Sequence, residues 1–217
     1  TVTTSGDYKI HTFTGDGNFV VDTAPTPANN KVSYVVVAGG GASGSDQAGA
    51  GGAGGYREGK HSTDPYTASP LAGTPCSALT VTASTTYPIS IGAGGVGKNY
   101  PDSPNTPNNG SNSVFSTITS AGGGYGGTVS PAPIRPGNSG GSGGGGSEGA
   151  AGSPNGGGTG NTPPVSPPQG NNGGAGINAN YGGGGGGAGE AGNTDGGGHG
   201  GDGVASSITG SPVTRAG

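Results

Sequence analysis

Asn180-Tyr181-Gly182-Gly183-Gly184-Gly185-Gly186-Gly187-Ala188 contains six consecutive glycines. The run has no side chain to bury, yet each residue carries a backbone donor and acceptor that need partners. An extended helix with three residues per turn suits it, because its N–H and C=O groups point sideways and its ladder is not internal. Packed side by side, such helices can bond to one another, and close approach requires positions without a Cβ. A helix with neighbours all round needs Gly almost throughout; a peripheral one can carry Ser, Ala, Asn or Glu on its outer face. Gly182 to Gly187 reads as interior. Gly140-Gly141-Ser142-Gly143-Gly144-Gly145-Gly146-Ser147 and Gly196-Gly197-Gly198-His199-Gly200-Gly201 read as peripheral, with Ser142 and His199 turned outward.

Outward from this run, glycine blocks recur at 39–55, 92–97, 121–127, 137–160, 173–176 and 181–203. Pro/Asn/Ser/Thr segments at 99–109, 130–136 and 162–172 separate them and read as the reversals of the chain. Proline also favours the φ of the threefold helix. The blocks repeat in kind but without a fixed 20–50-residue period, so this is not a solenoid array. Collagen needs Gly at every third position without interruption, and segments beside the glycine runs, such as Ile177-Asn178-Ala179-Asn180-Tyr181, lose that period.

Strand signals lie between the blocks. Tyr8-Lys9-Ile10-His11-Thr12-Phe13-Thr14 is β-branched and aromatic. Gly15-Asp16-Gly17-Asn18 reads as a hairpin turn, with Asn18-Phe19-Val20-Val21 resuming the strand. Lys31 to Val37 is the strongest strand and runs into Gly39-Gly40-Gly41. Ala78 to Thr82, Tyr87 to Ile91, Ser113 to Ile118 and Val204 to Thr209 follow, with Pro88 marking an edge or a strand start. No segment has useful helical periodicity.

The composition sets limits. With 57 glycines and 18 prolines in 217 residues and only 26% apolar residues, the chain cannot build a large side-chain core. Such composition also describes a flexible linker; the strands are what a folded module would use as anchors. Ordering a residue costs about 1–2 kcal/mol, and a hydrogen bond returns a net 0.5–1.5 kcal/mol, roughly. Backbone bonding alone barely offsets the ordering, so the strand part must anchor the bundle and chains are expected to associate. Net charge is −4 with seven scattered Lys and Arg, which excludes a phosphate-binding patch and hence nucleic acid. No apolar run approaches the ~20 residues of a membrane span. Cys76, the single cysteine, has no internal partner. Thr1 and Gly217 fall within what reads as continuing sequence, so the chain is expected to be a processed product or the ordered part of a longer one.

The expected fold is all-β, with a short-stranded β-sandwich-like base, packed left-handed polyglycine II-type helices and essentially no α-helix. Residues 1–120 are expected to form the β-rich base with interleaved Gly loops, 121–203 the packed-helix region, and 204–217 a return strand leading into further glycine, all as one cooperative module.

Several stretches resemble the glycine-rich domain of phage tail-fibre and virion-appendage proteins. They are Gly6 to Thr14, Tyr34-Val35-Val36-Val37-Ala38-Gly39-Gly40-Gly41, Ile89-Ser90-Ile91-Gly92-Ala93-Gly94-Gly95, Asn109 to Phe115, and Ala205 to Val213. Together they mark the family; singly they mark little. The resemblance implies polyglycine II packing on a β-rich base, host-surface attachment in the adhesin members, and no catalytic residues. It places the chain on a virion appendage or in an extracellular setting. A self-assembling extracellular microbial filament without a receptor is the alternative. The expected partners are further copies of the chain, as a trimer or filament, and a host-surface glycan or protein.

Chemical motifs are absent or fail. Gly92-Ala93-Gly94-Gly95-Val96-Gly97-Lys98 lacks the Walker spacing, and Asn99 stands where Ser or Thr is needed. Counting twelve from Asp16 reaches Pro27 and not a bidentate Glu, so no EF-hand loop is present. A weak ion held by Asp195, Asp202 and backbone carbonyls is the remaining metal reading. His11, His61 and His199 have no ligand spacing. No cofactor and no enzymatic activity are expected. Surface recognition falls to the Pro/Asn-rich loops and their rigid polar and aromatic groups: Tyr100, Asp102, Asn105, Asn108, Arg135, Gln169 and Asn171. Tyr56, Tyr125 and Tyr181 are expected to cap glycine helices by packing across their ends.

Overall fold

The structure, a computed structural model, describes residues 1–25, 29–45, 47–73, 77–97, 107–129, 136–148, 155–177 and 181–217. The strands in chain order are β1 (Val2–Ser5), β2 (Tyr8–His11), β3 (Gly17–Val21), β4 (Lys31–Val32), β5 (Tyr34–Val37), β6 (Tyr56–Gly59), β7 (Ala72–Gly73), β8 (Leu79–Thr80), β9 (Thr85–Ser90), β10 (Ser113–Phe115), β11 (Ile118–Ser120), β12 (Val204–Ser206) and β13 (Val213–Arg215). No helix occurs among the described residues, so the fold is all-β.

The base has two main sheets. One is four-stranded and antiparallel in the order β11-β10-β9-β3; the other is β5-β6-β7. β1-β2, β4-β8 and β12-β13 stand as separate pairs. Val36, Ile89 and Phe115 form the first core, with Phe13, Phe19, Tyr34, Tyr87 and Ile118 packed against it. Its rings meet edge to face, Phe19 to Phe115 at 5.9 Å and Tyr34 to Phe115 at 6.2 Å. A second core, Tyr56, Ala188 and Val204, joins the sheet to the ends of the glycine segments.

Two sequence expectations change here. Gly15-Asp16-Gly17-Asn18 does not close a hairpin: β2 pairs with β1, and β3 pairs with β9 from Gly17↔Ile89 to Val21↔Thr85. The Asp16 carboxylate accepts from Ile91 N at 2.8 Å, which ties the turn to the end of β9. The apolar run from Lys31 to Val37 is interrupted at Ser33, whose backbone leaves β4 to pair with β8 while β5 pairs with β6.

Strands pass directly into glycine segments. Residue 38 follows β5, 91 follows β9 and 121 follows β11; 55, 112 and 203 precede β6, β10 and β12. At these joints small polar side chains replace ladder partners. Ser113 Oγ accepts from Gly92 N at 2.9 Å, and Ser120 Oγ donates to Gly55 O.

Beyond the joints the backbone has a three-residue period. In 182–187, the open Cα faces of Gly182 and Gly185 meet 48–51. Those of Gly183 and Gly186 meet 171–175, and those of Gly184 and Gly187 meet 199–202. The bonds repeat likewise. Gly183 and Gly186 N donate to Gly146 and Gly143 O at 2.7 and 2.9 Å, and their carbonyls accept from Ala50 and Ala53 N. The same step of three links 38, 41 and 44 to 55, 52 and 49, and links 49, 52 and 55 to 127, 124 and 121. Asn112 and Asn109 continue it with side chains, their Oδ1 atoms accepting from Gly122 and Tyr125 N at 2.9 Å. Among the described glycines only Gly6, Gly196, Gly198 and Gly210 have positive φ. The bundle glycines are therefore required for lack of a Cβ, not for an unusual backbone. Extended, threefold, laterally bonded segments of this kind are polyglycine II packing.

The bundle does not begin at residue 121. Segment 49–55 donates to 121–127 and 183–186 and accepts from Ser142 and Gly145 N, so it lies inside the same bundle. Ser142 is likewise interior. It is 0% exposed, its N donates to Ala53 O, and its hydroxyl has no partner. The expectation of an outer face fails because substituents can also point into the gaps between packed helices.

Candidate functional site

The bond pattern fixes the direction of every glycine segment, and so sorts the connections into two ends. Segments 38–44, 92–97 and 121–127 leave the sheets; 49–55, 107–112 and 182–187 return to them. The described residues that flank 46, 98–106, 130–135, 149–154 and 178–180, and the turn at 193–199, thus lie at the end remote from the sheets. The connection 161–169 lies at the opposite, base end.

This separates the recognition candidates. Gln169 is only 1% exposed. Its Oε1 accepts from Ala121 N at 2.8 Å and its Nε2 donates to Pro163 O at 2.8 Å. Its own carbonyl accepts from Tyr56 N. Asn171 is half-buried and its Nδ2 donates to the carbonyls of Gly187 and Ala188 at 3.0 Å. Asn161 Oδ1 gathers Val165 N and Gln169 N at 3.1 and 3.2 Å. Gln169 and Asn171 are thus part of a plug between bundle and sheets and not surface contacts. An amide can satisfy an orphaned backbone donor and acceptor at once, and nothing in the Pro/Asn composition of the loop distinguishes that use from exposure.

Asn108 is exposed at the remote end, while its backbone is held in the bundle by Val96 O and Ala42 N. Tyr100, Asp102, Asn105 and Arg135 lie outside the described residues, as does Cys76. The described part of the remote end adds two apolar groups that the sequence reading did not select, Val96 at 61% and Tyr181 at 67% exposure. Tyr181 therefore does not cap a glycine helix; it bridges to Ile177 through backbone and points its ring to solvent. Tyr125 is half-buried, and Tyr56 is packed in the second core. His199 is exposed, as expected.

The most concentrated polar chemistry lies at the joint and is sealed from solvent. Glu58, 3% exposed, accepts from Tyr56 Oη at 2.8 Å, Ser69 N at 2.9 Å and Ser206 Oγ at 2.7 Å. It ties β6, the loop before β7 and β12 together. Burial, reinforced by the Glu58 carboxylate, pushes the Tyr56 hydroxyl well above its ordinary range. The same two causes raise Tyr66. Tyr66 also lies under the Lys60 ammonium, 5.0 Å from its ring centroid. Tyr56, Glu58, Ser69 and Ser206 thus form a buried clamp that ties the strands together, with Tyr66 half-buried beside it.

The ion reading gathers one more residue. Carboxylate oxygens of Glu190, Asp195 and Asp202 lie within 4.8 Å of one another, the first half-buried and the others exposed. Three clustered acids do not by themselves make a site. Segment 92–97 is an ordinary member of the bundle, Gly95 N donating to Gly40 O at 2.8 Å. No described helix is long and apolar enough to cross a membrane.

The model of the glycine-rich domain family matches residues 14–217. The chain belongs to that family. No curated protein and no solved structure matches this glycine-rich domain.

Proposed function

We propose that this glycine-rich domain is a non-catalytic structural and host-attachment module of a phage tail fibre or virion appendage. The observation that carries the reading is the one-ended arrangement of the connections. The sheets anchor the bundle at one end, and the reversals remote from them bracket a single opposite end. A laterally bonded bundle whose faces are poor in side chains acts as a stiff spacer. The Pro-, Asn- and Tyr-bearing stretches 98–106 and 130–135 then supply contact chemistry for a cell-surface glycan or protein. Exposed Tyr181 and Val96 extend the same end.

The test replaces residues 98–106 and, separately, 130–135 by Gly/Ser stretches of equal length. The expected result is an unchanged melting temperature with reduced or redirected adsorption to host cells. Replacing the base connection 161–169 should instead unfold the joint. Unchanged adsorption in both remote-end swaps, with the fold intact, would overturn the attachment role and leave a spacer or filament subunit.

A further inference from the structure

At the base, a cleft of about 900 Å³ opens between the β1-β2 hairpin, the first core and the loops at 64–67 and 207–210. Its composition departs from that of the chain. All three phenylalanines, Phe13, Phe19 and Phe115, line it. So do Lys9, Lys31 and Arg215, three of the seven Lys and Arg in a chain of net charge −4. Asp64 is the one carboxylate on its described wall, and it accepts from the Ser33 hydroxyl. Lys31 donates to Thr80 and Arg215 to Val213 O and Thr209; among the described residues, none of the three cations meets a carboxylate.

The walls are strand edges. Tyr34 and Val36 turn into the first core, Val35 and Val37 into the second, yet all four line the cleft. A wall that touches residues from both faces of a strand runs along its edge. β5 is the outer member of its sheet on that side. Residues 8–13 line the other wall without a gap, and among the described residues β2 pairs only with β1. Two open edges therefore flank an aromatic floor. Natural sheets cover or blunt such edges, and a lone two-stranded hairpin is marginal in water. Val2 and Tyr8 on this hairpin are 59% and 44% exposed.

We infer that the cleft receives an extended segment of a partner polypeptide, apolar on alternate residues and acidic at its flanks, which adds as a strand along the edges of β2 and β5. Main-chain bonds to the two edges hold it, the phenylalanine floor takes its alternate side chains, and Lys9, Lys31 and Arg215 meet its carboxylates. This site lies at the opposite end from the proposed attachment loops, and its occupancy does not depend on them.

The test uses the full chain, labelled with nitrogen-15, and the capped peptide acetyl-Asp-Val-Thr-Val-Thr-Val-Asp-amide, with a second peptide carrying Lys for both Asp. The acidic peptide should give saturable amide shifts at Lys9, His11, Tyr34 and Val36, and the basic one should bind at least ten-fold more weakly. Lys9→Glu, at an exposed position, should weaken the acidic peptide several-fold with the melting temperature kept; adding Arg215→Glu should deepen the loss. The inference is overturned by any of three results: no saturable shift up to millimolar peptide, equal binding of the two peptides, or shifts that spare β2 and β5. Concentration-dependent shifts at the same amides without peptide would also overturn it, by making a second copy the occupant.

Discussion

In the four-stranded sheet, Phe19, Tyr87 and Phe115 meet ring to ring at 5.9 to 6.5 Å, and the strands are held by what those side chains bury. In residues 182–187 there is no side chain, and five of the six residues are nonetheless buried. What surrounds them is backbone: Gly146 and Gly143 accept on one side, Ala50 and Ala53 donate on another, and Gly174 donates on a third. The sheets gain stability from added carbon atoms; the bundle is possible only where they are missing. An apolar fraction of 26% is therefore no bar to an ordered chain, provided a small conventional core fixes where the backbone segments start.

The contrast is sharpest at position 184. A Cβ there would overlap the His199 carbonyl, which is backbone and cannot swing aside. Gly184→Val should cost several kcal/mol, roughly the 1–3 kcal/mol of an overpacked core plus the hydrogen bonds it breaks. Thermal denaturation checks this, and a variant that melts like the wild type would break the packed-glycine account. The opposite operation in the base, Phe115→Ala, should cost about 3–5 kcal/mol by leaving a cavity among the rings of Phe19, Tyr34 and Tyr87. Hydrogen exchange should then show loss of protection beginning in the sheets and reaching the bundle. A bundle that stayed protected would mean that it does not need its anchor.

The joint tests whether the two regions are coupled. Glu58→Ala leaves the Tyr56 and Ser206 hydroxyls and Ser69 N without their shared acceptor. A loss of about 2–3 kcal/mol is expected, since bonds to charged groups are the stronger ones. The loss should be read equally by probes in β6 and in 182–187.

Alkali gives a smaller effect at the same place. The Tyr56 hydroxyl has its pKa raised above the ordinary value of 10, chiefly by burial. A raised folded-state value contributes stability that is fully present below pH 10 and is lost as the pH rises further. Wild-type melting should therefore fall above pH 10, and Tyr56→Phe should flatten part of that fall. The rest belongs to Tyr34 and Tyr66, whose hydroxyls burial also raises. An identical alkaline slope in the variant would remove Tyr56 from this account.

Ser142→Ala should have the smallest effect. The buried hydroxyl has no partner, so its removal should leave the melting temperature unchanged or raise it by the equivalent of up to about 1 kcal/mol. A clear destabilisation would mean that the hydroxyl has a partner in solution.

The amino-acid sequence by itself determined the two materials of this protein. Six glycines at 182–187 can be ordered only by lateral backbone bonding, and Tyr34-Val35-Val36-Val37 can only be a buried strand, because period and side-chain volume are local properties. It also excluded helices, since no stretch repeats at 3.6 residues. The tertiary structure alone decided which segments lie beside which. Glycine segments present no side-chain code for choosing a neighbour, so the partners of 49–55 follow from the strand it runs into, β6, and not from its own residues. The same reason hid the fates of Ser142, Gln169 and Glu58. A serine in a glycine run, an amide in a proline loop and a carboxylate in Tyr56-Arg57-Glu58-Gly59 all look like surface groups. Only the packing around them shows that they are buried, Gln169 and Glu58 to satisfy backbone donors or acceptors and Ser142 because neighbouring segments cover it.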